Sequence, residues 1–174
     1  MKKVSTVIFL FLFSISVSAA TKTWDGGGAN SNWNTAANWD GDIAPVANDD
    51  LIFPATSAQF VTTHNFSGTT FNSITFEGGA YTVDGNVLLN PISTRALNLG
   101  GGTQTINVPL NTNGTAVFTA ATGSLATIVS LSVAAGGLTI DGEGSFGIGA
   151  IGGSSTISEK SLGAGPPTTT LFCS

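Results

Sequence analysis

The chain has 174 residues, which is enough for one domain with a sizeable core, and its formal net charge is −5. Only five residues are Lys or Arg. Binding to nucleic acids or to anionic membrane surfaces requires clustered positive charge, so this composition argues strongly against a nucleic-acid partner and disfavours an anionic membrane surface. Charged residues form 9 % of the chain, whereas 41 % is hydrophobic and glycine occurs 23 times. This balance favours an all-β protein with uncharged polar faces over a disordered chain.

Residues 1–20 are organised like a secretory signal peptide. Lys2 and Lys3 give a positive start, residues 4–17 are largely apolar, and Ser18-Ala19-Ala20 supplies the small residues expected before a cut that follows Ala20. The apolar stretch is short for a membrane span and contains several hydroxyl side chains, which argues against a transmembrane anchor. The sequence therefore predicts a secretory signal peptide. The mature chain would be secreted or at the cell surface, with no membrane span.

The segment 21–55 is rich in turn-forming residues and contains all three tryptophans, Trp24, Trp33 and Trp39. Glycines and asparagines surround the tryptophans, and Leu51-Ile52-Phe53 opens a strand. The exposed edge of an extended β-structure pairs with other chains unless it is covered. We therefore predict that this segment is an N-terminal cap.

Between residues 56 and 153 short β-type segments alternate with glycine-containing turns, and no window has a helical period. The predicted strands are Gln59–Thr63, Ser73–Phe76, Tyr81–Val83, Val87–Leu89, Ala96–Leu99, Thr103–Val108, Ala116–Thr119, Leu125–Val133, Leu138–Ile140 and Ser145–Ile148. This pattern predicts an all-β fold. Inward-facing side chains would form a column: Ile74, Phe76, Val83, Leu97, Leu99, Ile106, Val108, Ile140 and Ile148.

Internal similarity distinguishes between two all-β architectures. Residues 78–85 and 136–142 are nearly alike, residues 101–107 are a looser copy, and Thr82, Thr105 and Thr139 hold equivalent places in the three copies. The threonines are spaced by 23 and 34 residues, which fits solenoid coils of about 20 to 30 residues with an insertion in the second. A right-handed parallel β-helix is the predicted architecture. A β-sandwich or jelly roll is the alternative.

The N-terminal pattern resembles that of bacterial autotransporter-like β-helix passenger proteins, which often carry autotransporter-associated β-strand repeats. The residues concerned are Trp24-Asp25-Gly26-Gly27-Gly28, Asn32-Trp33, Asn38-Trp39, Pro45 and Asn48-Asp49, followed downstream by Ile74-Thr75-Phe76 and Tyr81-Thr82-Val83. The similarity covers residues 21–148. It implies a β-helical surface or secreted passenger with an adhesin-like role, and it names no ligand.

Residues 154–174 are expected to be irregular. A Gly-rich repeat of this family is not intact there, and Pro166-Pro167 would interrupt a strand ladder because proline donates no backbone hydrogen bond. Family members are commonly much longer, so the sequence suggests a truncated fragment. The one cysteine, Cys173, allows no internal disulfide.

Candidate catalytic residues are sparse, and no catalytic residue, metal site or cofactor is predicted. Asp84 and Asp141 follow similar segments and are expected to be turn residues at equivalent places. Arg95 is the sole arginine, and His64 is the sole histidine and is predicted to be packed or solvated. No Ser-His-Asp arrangement can be assembled with any specificity.

The tryptophans suggest one ligand hypothesis. Trp24, Trp33 and Trp39 would form a carbohydrate-binding platform if their rings were exposed, since aromatic faces stack on sugars. The alternative is that the rings pack over the first coil, where burial of aromatic area stabilises the fold. The sequence thus predicts an exported structural or adhesin-like passenger fragment that is not an enzyme, with surface glycans or surface proteins as partners. The alternatives are a carbohydrate-binding module and, less favoured, a polysaccharide-degrading β-helix enzyme.

Overall fold

The computed structural model describes residues 19–85, 90–91, 95–112, 114–153 and 157–160. Short strands account for most of this part, and its one helix is a single 3-10 turn, Ala36–Asn38. The strands are β1 (Thr21–Thr23), β2 (Asp50–Phe53), β3 (Val61–His64), β4 (Thr70–Phe71), β5 (Ser73–Phe76), β6 (Thr82–Gly85), β7 (Asn90–Pro91), β8 (Arg95–Leu99), β9 (Thr103–Ile106), β10 (Leu110–Thr112), β11 (Ala116–Ala120), β12 (Leu125–Ile128), β13 (Leu131–Val133), β14 (Leu138–Gly142), β15 (Ser145–Ile148), β16 (Ile151–Gly153) and β17 (Ile157–Lys160).

The strands form a parallel β-solenoid of about four turns, which confirms the predicted β-helix over the sandwich alternative. Each turn places one strand on each of three faces. The first face is a seven-stranded sheet in the order β1-β2-β5-β8-β11-β14-β17, and the second is a five-stranded sheet in the order β15-β12-β9-β6-β3. The third face consists of the pair β4-β7 and the sheet β10-β13-β16. Every ladder between these strands is parallel.

The register corrects one part of the repeat analysis. Thr82 pairs with Thr105, so the spacing of 23 residues is one turn, as predicted. Thr105 then pairs with Thr127 on the same face. Thr139 instead lies in β14 on the first face, where it pairs with Val117. The predicted equivalence of Thr139 was therefore wrong, because similar local sequence follows corners that lead to different faces.

Alternation along each strand builds the core. All nine residues predicted to point inward are buried. On the first face one inward row runs Phe53, Phe76, Leu99 and Ala120, in register from β2 to β11. This row becomes smaller along the solenoid. Phe118 and Phe146 occupy the interior beside its small end, with ring centroids 5.7 Å apart.

The turns between strands stack as tightly as the strands do. Gly79 and Gly102 lie one turn apart, and both have positive φ. A Cβ atom on Gly102 would lie 1.8 Å from the carbonyl oxygen of Gly79, so only glycine fits at this corner. The sequence did not predict the corner between β12 and β13. The predicted strand Leu125–Val133 is two strands, β12 and β13, on different faces.

Several predictions fall at the margins of the described chain. β2 lies within the predicted cap segment 21–55 and already belongs to the first face, while β17 continues that face beyond residue 153. The predicted strand Val87–Leu89 and residues 1–18 of the predicted signal peptide lie outside the described residues, as do Pro166-Pro167 and Cys173. Within the described ranges, no helix has the length and apolar character required to span a membrane.

Candidate functional site

The three tryptophans form a cluster at the N-terminal end of the solenoid. Trp24 and Trp39 meet edge to face with ring centroids 5.3 Å apart, and Trp33 meets Trp39 at 6.3 Å in the same geometry. Phe53 of the first turn lies 5.2 Å from Trp33 and stacks on Phe76 at 4.9 Å. The cluster therefore continues the aromatic interior of the solenoid, and edge-to-face pairs of this kind add to the stabilisation from burial.

None of the three rings presents a face to solvent. Trp24, Trp33 and Trp39 are all 0 % exposed. The indole nitrogen of Trp24 donates to the carbonyl of Gln59 at 3.0 Å, and that of Trp39 donates to the carbonyl of Trp33 at 2.7 Å. A sugar could stack on these rings only after the cap opened. Packing over the first turn is therefore the role that their burial supports.

Asn38 organises the loop that carries the tryptophans. Its side chain is fully buried, although the sequence placed it among ordinary turn residues. Its Nδ2 donates to the carbonyls of Asn30 at 2.8 Å and Asn32 at 2.9 Å, and its Oδ1 accepts from the backbone N–H of Gly28 at 2.9 Å. A Cβ on Gly28 would come within 2.5 Å of that oxygen, so this close approach requires glycine.

Gln59 connects the cap to the first turn. Its Nε2 donates to the carbonyls of Gly26 at 2.7 Å and Gly28 at 2.9 Å. The hydroxyl of Ser57 donates to the carbonyl of Asp25 at 3.0 Å. These partners are 31 to 33 residues apart in sequence. No local pattern indicates them, so sequence reasoning did not single out Gln59.

Three of the acidic side chains, those of Asp50, Asp84 and Glu143, are bonded to different neighbours. Asp84 Oδ1 accepts from Asn107 Nδ2 at 2.8 Å, Asp50 accepts from Asn72 Nδ2 at 2.8 Å, and Glu143 accepts from the hydroxyl of Thr122. Across the described ranges, no group of three His, Cys, Asp or Glu side chains is placed to hold a metal ion. A pair of acids for general acid–base chemistry does not emerge from these contacts.

Asp84 and Asp141 are not equivalent turn residues, as the sequence had suggested. Asp84 lies in β6 on the second face, and Asp141 lies in β14 on the first face opposite Thr119 and Lys160. The error arose because each is followed by a glycine with positive φ, Gly85 or Gly142, which closes the strand. The two carboxylates therefore share a local sequence but not a site.

His64 is a packed interior residue, and Arg95 begins β8. His64 is 0 % exposed, and its ring centroid lies 4.8 Å from that of Trp33 and 6.1 Å from that of Phe71. An imidazole enclosed by aromatic rings cannot reach a solvent-borne substrate. This placement supports the packed histidine of the sequence prediction.

The phenol of Tyr81 has a raised pKa. Its side chain is buried, and its hydroxyl donates to the carbonyl of Pro54 at 2.8 Å. Burial raises the pKa of the phenol above 10.0, the charge of Glu77 raises it further, and a hydrogen bond with Ser57 opposes these effects. The neutral hydroxyl acts as a structural donor between the first two turns.

A shallow groove of about 330 Å³ lies on the third face, along β10, β13 and β16. Its lining is largely apolar and contains no ionisable side chain: Pro109, Leu110, Ser130, Leu131, Ser132, Ala150, Ile151 and Gly152. Binding pockets usually combine apolar walls with convergent polar groups that orient a ligand. The side chains that line the groove offer only the hydroxyls of Ser130 and Ser132 as polar groups.

The outer faces carry uncharged polar side chains that are bonded from turn to turn. Asn98 Nδ2 donates to Thr75 Oγ1 at 3.2 Å, and Thr119 Oγ1 donates to Asn98 Oδ1 at 2.8 Å. On the third face Asn111 Nδ2 donates to Asn90 Oδ1 at 3.1 Å. These rows join successive turns on the outside, as the inward rows do on the inside.

Comparisons with known proteins do not identify a family for this chain. No family model matches the chain, and neither a curated protein nor a solved structure does. The function therefore has to follow from the fold and from the side chains themselves.

Proposed function

We propose that this chain is an exported, non-catalytic structural passenger fragment of a bacterial β-helical surface protein, with an adhesin-like role. The main support is that the polar outer rows and the aromatic cap of the parallel solenoid make their contacts within the molecule. Side-chain hydrogen bonds join parts of the fold to one another. Asn38 bonds within the cap, Gln59 joins the first turn to the cap, and a row on the outer face joins successive turns: Thr75, Asn98 and Thr119. Such a molecule has a long, regular surface, which suits a scaffold that contacts glycans or proteins at a cell surface.

The resemblance of residues 21–148 to autotransporter-like passengers supports the same proposal. The tryptophans that carry the resemblance occupy the end of the solenoid, where an edge has to be covered. The buried rings favour the structural role over a carbohydrate-binding module that would use Trp24, Trp33 and Trp39. The separate engagement of Asp50, Asp84 and Glu143 gives a polysaccharide-degrading enzyme no acid pair.

Two measurements on one preparation test the proposal. The full chain is produced in a bacterium with an outer membrane, and the exported fraction is compared with the cytoplasm by intact mass. We expect the shortened chain in the exported fraction. Accumulation of the full-length chain in the cytoplasm would contradict export.

The exported protein is then incubated with plant and bacterial polysaccharides and with intact bacterial cells. We expect no soluble sugar products, because the acids are not arranged for hydrolysis or elimination, and we expect retention by cells. Soluble products would establish an enzyme. Retention by a purified polysaccharide that is lost when Trp33 is replaced by Ala, with an unchanged melting temperature, would establish the carbohydrate-binding module.

A further inference from the structure

The start of the described chain is attached to a buried carboxylate. The backbone nitrogen of Ala20 lies 3.0 Å from Oδ1 of Asp49, and its carbonyl accepts from the backbone N–H of Asp50 at 2.8 Å. Thr21 follows directly as the first residue of β1 and pairs with Asp50. Among the described residues, Ala20 is thus the first to be bonded to the rest of the fold.

The carboxylate of Asp49 that Ala20 faces is buried. It is 1 % exposed, and its second oxygen, Oδ2, accepts from the backbone N–H of Val46 at 2.9 Å. Within the described part of the chain, no lysine, arginine or histidine side chain contacts it. A buried carboxylate is costly unless a positive charge or several hydrogen bonds compensate it. The atom of Ala20 that faces Asp49 is the one that would carry a positive charge if the chain began there.

We propose that the exported chain is cut between Ala19 and Ala20, and that the new α-ammonium group of Ala20 forms an ion pair with Asp49. The proposal rests on the export proposed above and places the cut one residue before the position that the sequence predicts. Water adds across the Ala19–Ala20 peptide bond, and the C–N bond breaks. Ala19 leaves with the carboxylate, and the nitrogen of Ala20 takes up the released protons as an ammonium group. The enzyme required is an endopeptidase that accepts a small residue before the cut, which Ala19 supplies.

The contacts distinguish this position from a cut after Ala20. A chain that began at Thr21 would lose both bonds of Ala20, leaving Asp49 Oδ1 and the N–H of Asp50 without those partners. A chain that began at Ala20 keeps both bonds and turns one of them into a charge-assisted bond, which is shorter and stronger than a neutral one. Ala20 is exposed, so the remaining ammonium protons stay hydrated.

The cut is located by intact mass and N-terminal sequencing of the exported protein. We expect the first residue to be Ala20. A first residue of Thr21, or any other, would overturn the proposed position. If the chain stays full-length in the cytoplasm, export itself has failed, and the ion pair is then judged by the second experiment alone.

The ion pair is tested on chains that are produced directly with Ala20 or Thr21 as the first residue. The melting temperature of the Ala20 chain should be roughly 3–10 °C higher than that of the Thr21 chain, because the Thr21 chain lacks the hydrogen bond between Ala20 and the charged Asp49. Asp49→Asn should reduce this difference roughly twofold, since it removes the charge and keeps an oxygen. Asp42→Asn is the matched control, because Asp42 is exposed, and it should leave the difference unchanged.

Acetylation of the Ala20 amino group gives a readout that does not depend on the folding of a variant. It keeps one N–H donor and removes the charge, so the melting temperature of the Ala20 chain should fall. Equal melting temperatures of the Ala20 and Thr21 chains, or an Ala20 chain that is insensitive to acetylation, would overturn the ion pair.

Discussion

Single residues hold the cap in place through bonds that span the loop. Asn38 satisfies three backbone groups from a fully buried position, and Gln59 satisfies two more from the first turn. A buried amide that loses its partners costs free energy comparable to the bonds that it made. The cap should therefore be sensitive to the loss of either of these two uncharged side chains.

Replacing Asn38 by Ala should lower the free energy of unfolding by about 3 kcal/mol, because the N–H of Gly28 and the carbonyl of Asn30 lose their partner and the carbonyl of Asn32 loses one of its two donors. Urea unfolding of the mature chain measures the change. Asn34→Ala is the matched control, since Asn34 is an exposed asparagine of the same loop and should change stability by less than about 0.5 kcal/mol. Equal effects of the two substitutions would show that Asn38 does not organise the loop.

Tyr81 should make the fold sensitive to alkali. Burial raises its pKa in the folded state, so the stability that it contributes is complete below the unfolded pKa of about 10 and is lost as the pH rises through the folded pKa. Tyr81 is the only tyrosine, so near-ultraviolet absorbance of the phenolate reports it alone. The native midpoint should lie above that in denaturant, and Glu77→Gln should bring the two closer. A native midpoint at or below the denatured one would contradict the burial argument.

The role of a residue could be predicted from the sequence when it depends on neighbouring residues in the chain, and not when it depends on residues far away in sequence. Inward positions such as Ile74 and Leu97 follow from local alternation, which the pleat of a strand imposes on any sheet. Asn38 and Gln59 were missed because their roles depend on which loops the fold brings together. The end of β12 was missed for a related reason: Val129 is an exposed corner residue with the composition of a strand residue.

At the scale of elements, the cap and the first turns form one aromatic unit. Trp33 and Trp39 are both fully buried and in contact, but only the indole nitrogen of Trp39 donates a hydrogen bond, to the carbonyl of Trp33. The indole nitrogen of Trp33 has no hydrogen-bond partner. Substitutions at these two positions can therefore distinguish the contribution of packing from that of the hydrogen bond.

Trp39→Phe should destabilise the fold by about 1 kcal/mol more than Trp33→Phe. Both substitutions remove a similar apolar volume, but only the first also breaks a bond and leaves a buried carbonyl short of a donor. Thermal unfolding of the two variants beside the parent chain measures the difference. The prediction fails if Trp33→Phe proves to be the more damaging change.

At the scale of the whole molecule, stability should accumulate turn by turn. β11 lies in register between β8 and β14, with Ala116 opposite Leu138. Deleting residues 116–137 therefore removes one turn and brings Leu138 to the place of Ala116. The face order is preserved because β14, β15 and β16 would then pair with β8, β9 and β10, in the places that β11, β12 and β13 held.

This deletion should give a folded protein with a β-type circular dichroism spectrum and a denaturant m-value reduced by roughly a fifth. Deleting 116–126, about half a turn, is the control, and it should abolish cooperative unfolding because residues 127–128 of the second face would then stand where β11 of the first face begins. If both deletions unfold alike, the turns are not interchangeable units.

The spans of the cap contacts have a consequence for the order in which the molecule forms. Trp24 bonds to Gln59, and Ser31 bonds to Thr63, so the cap needs no residue beyond the first turn. Each later turn needs only the turn before it. A chain that leaves a ribosome or a translocation channel N-terminus first would therefore complete its cap while the remaining turns are still inside. Growth from that end is vectorial, with each finished turn serving as the template for the next and opposing the return of the chain through the channel.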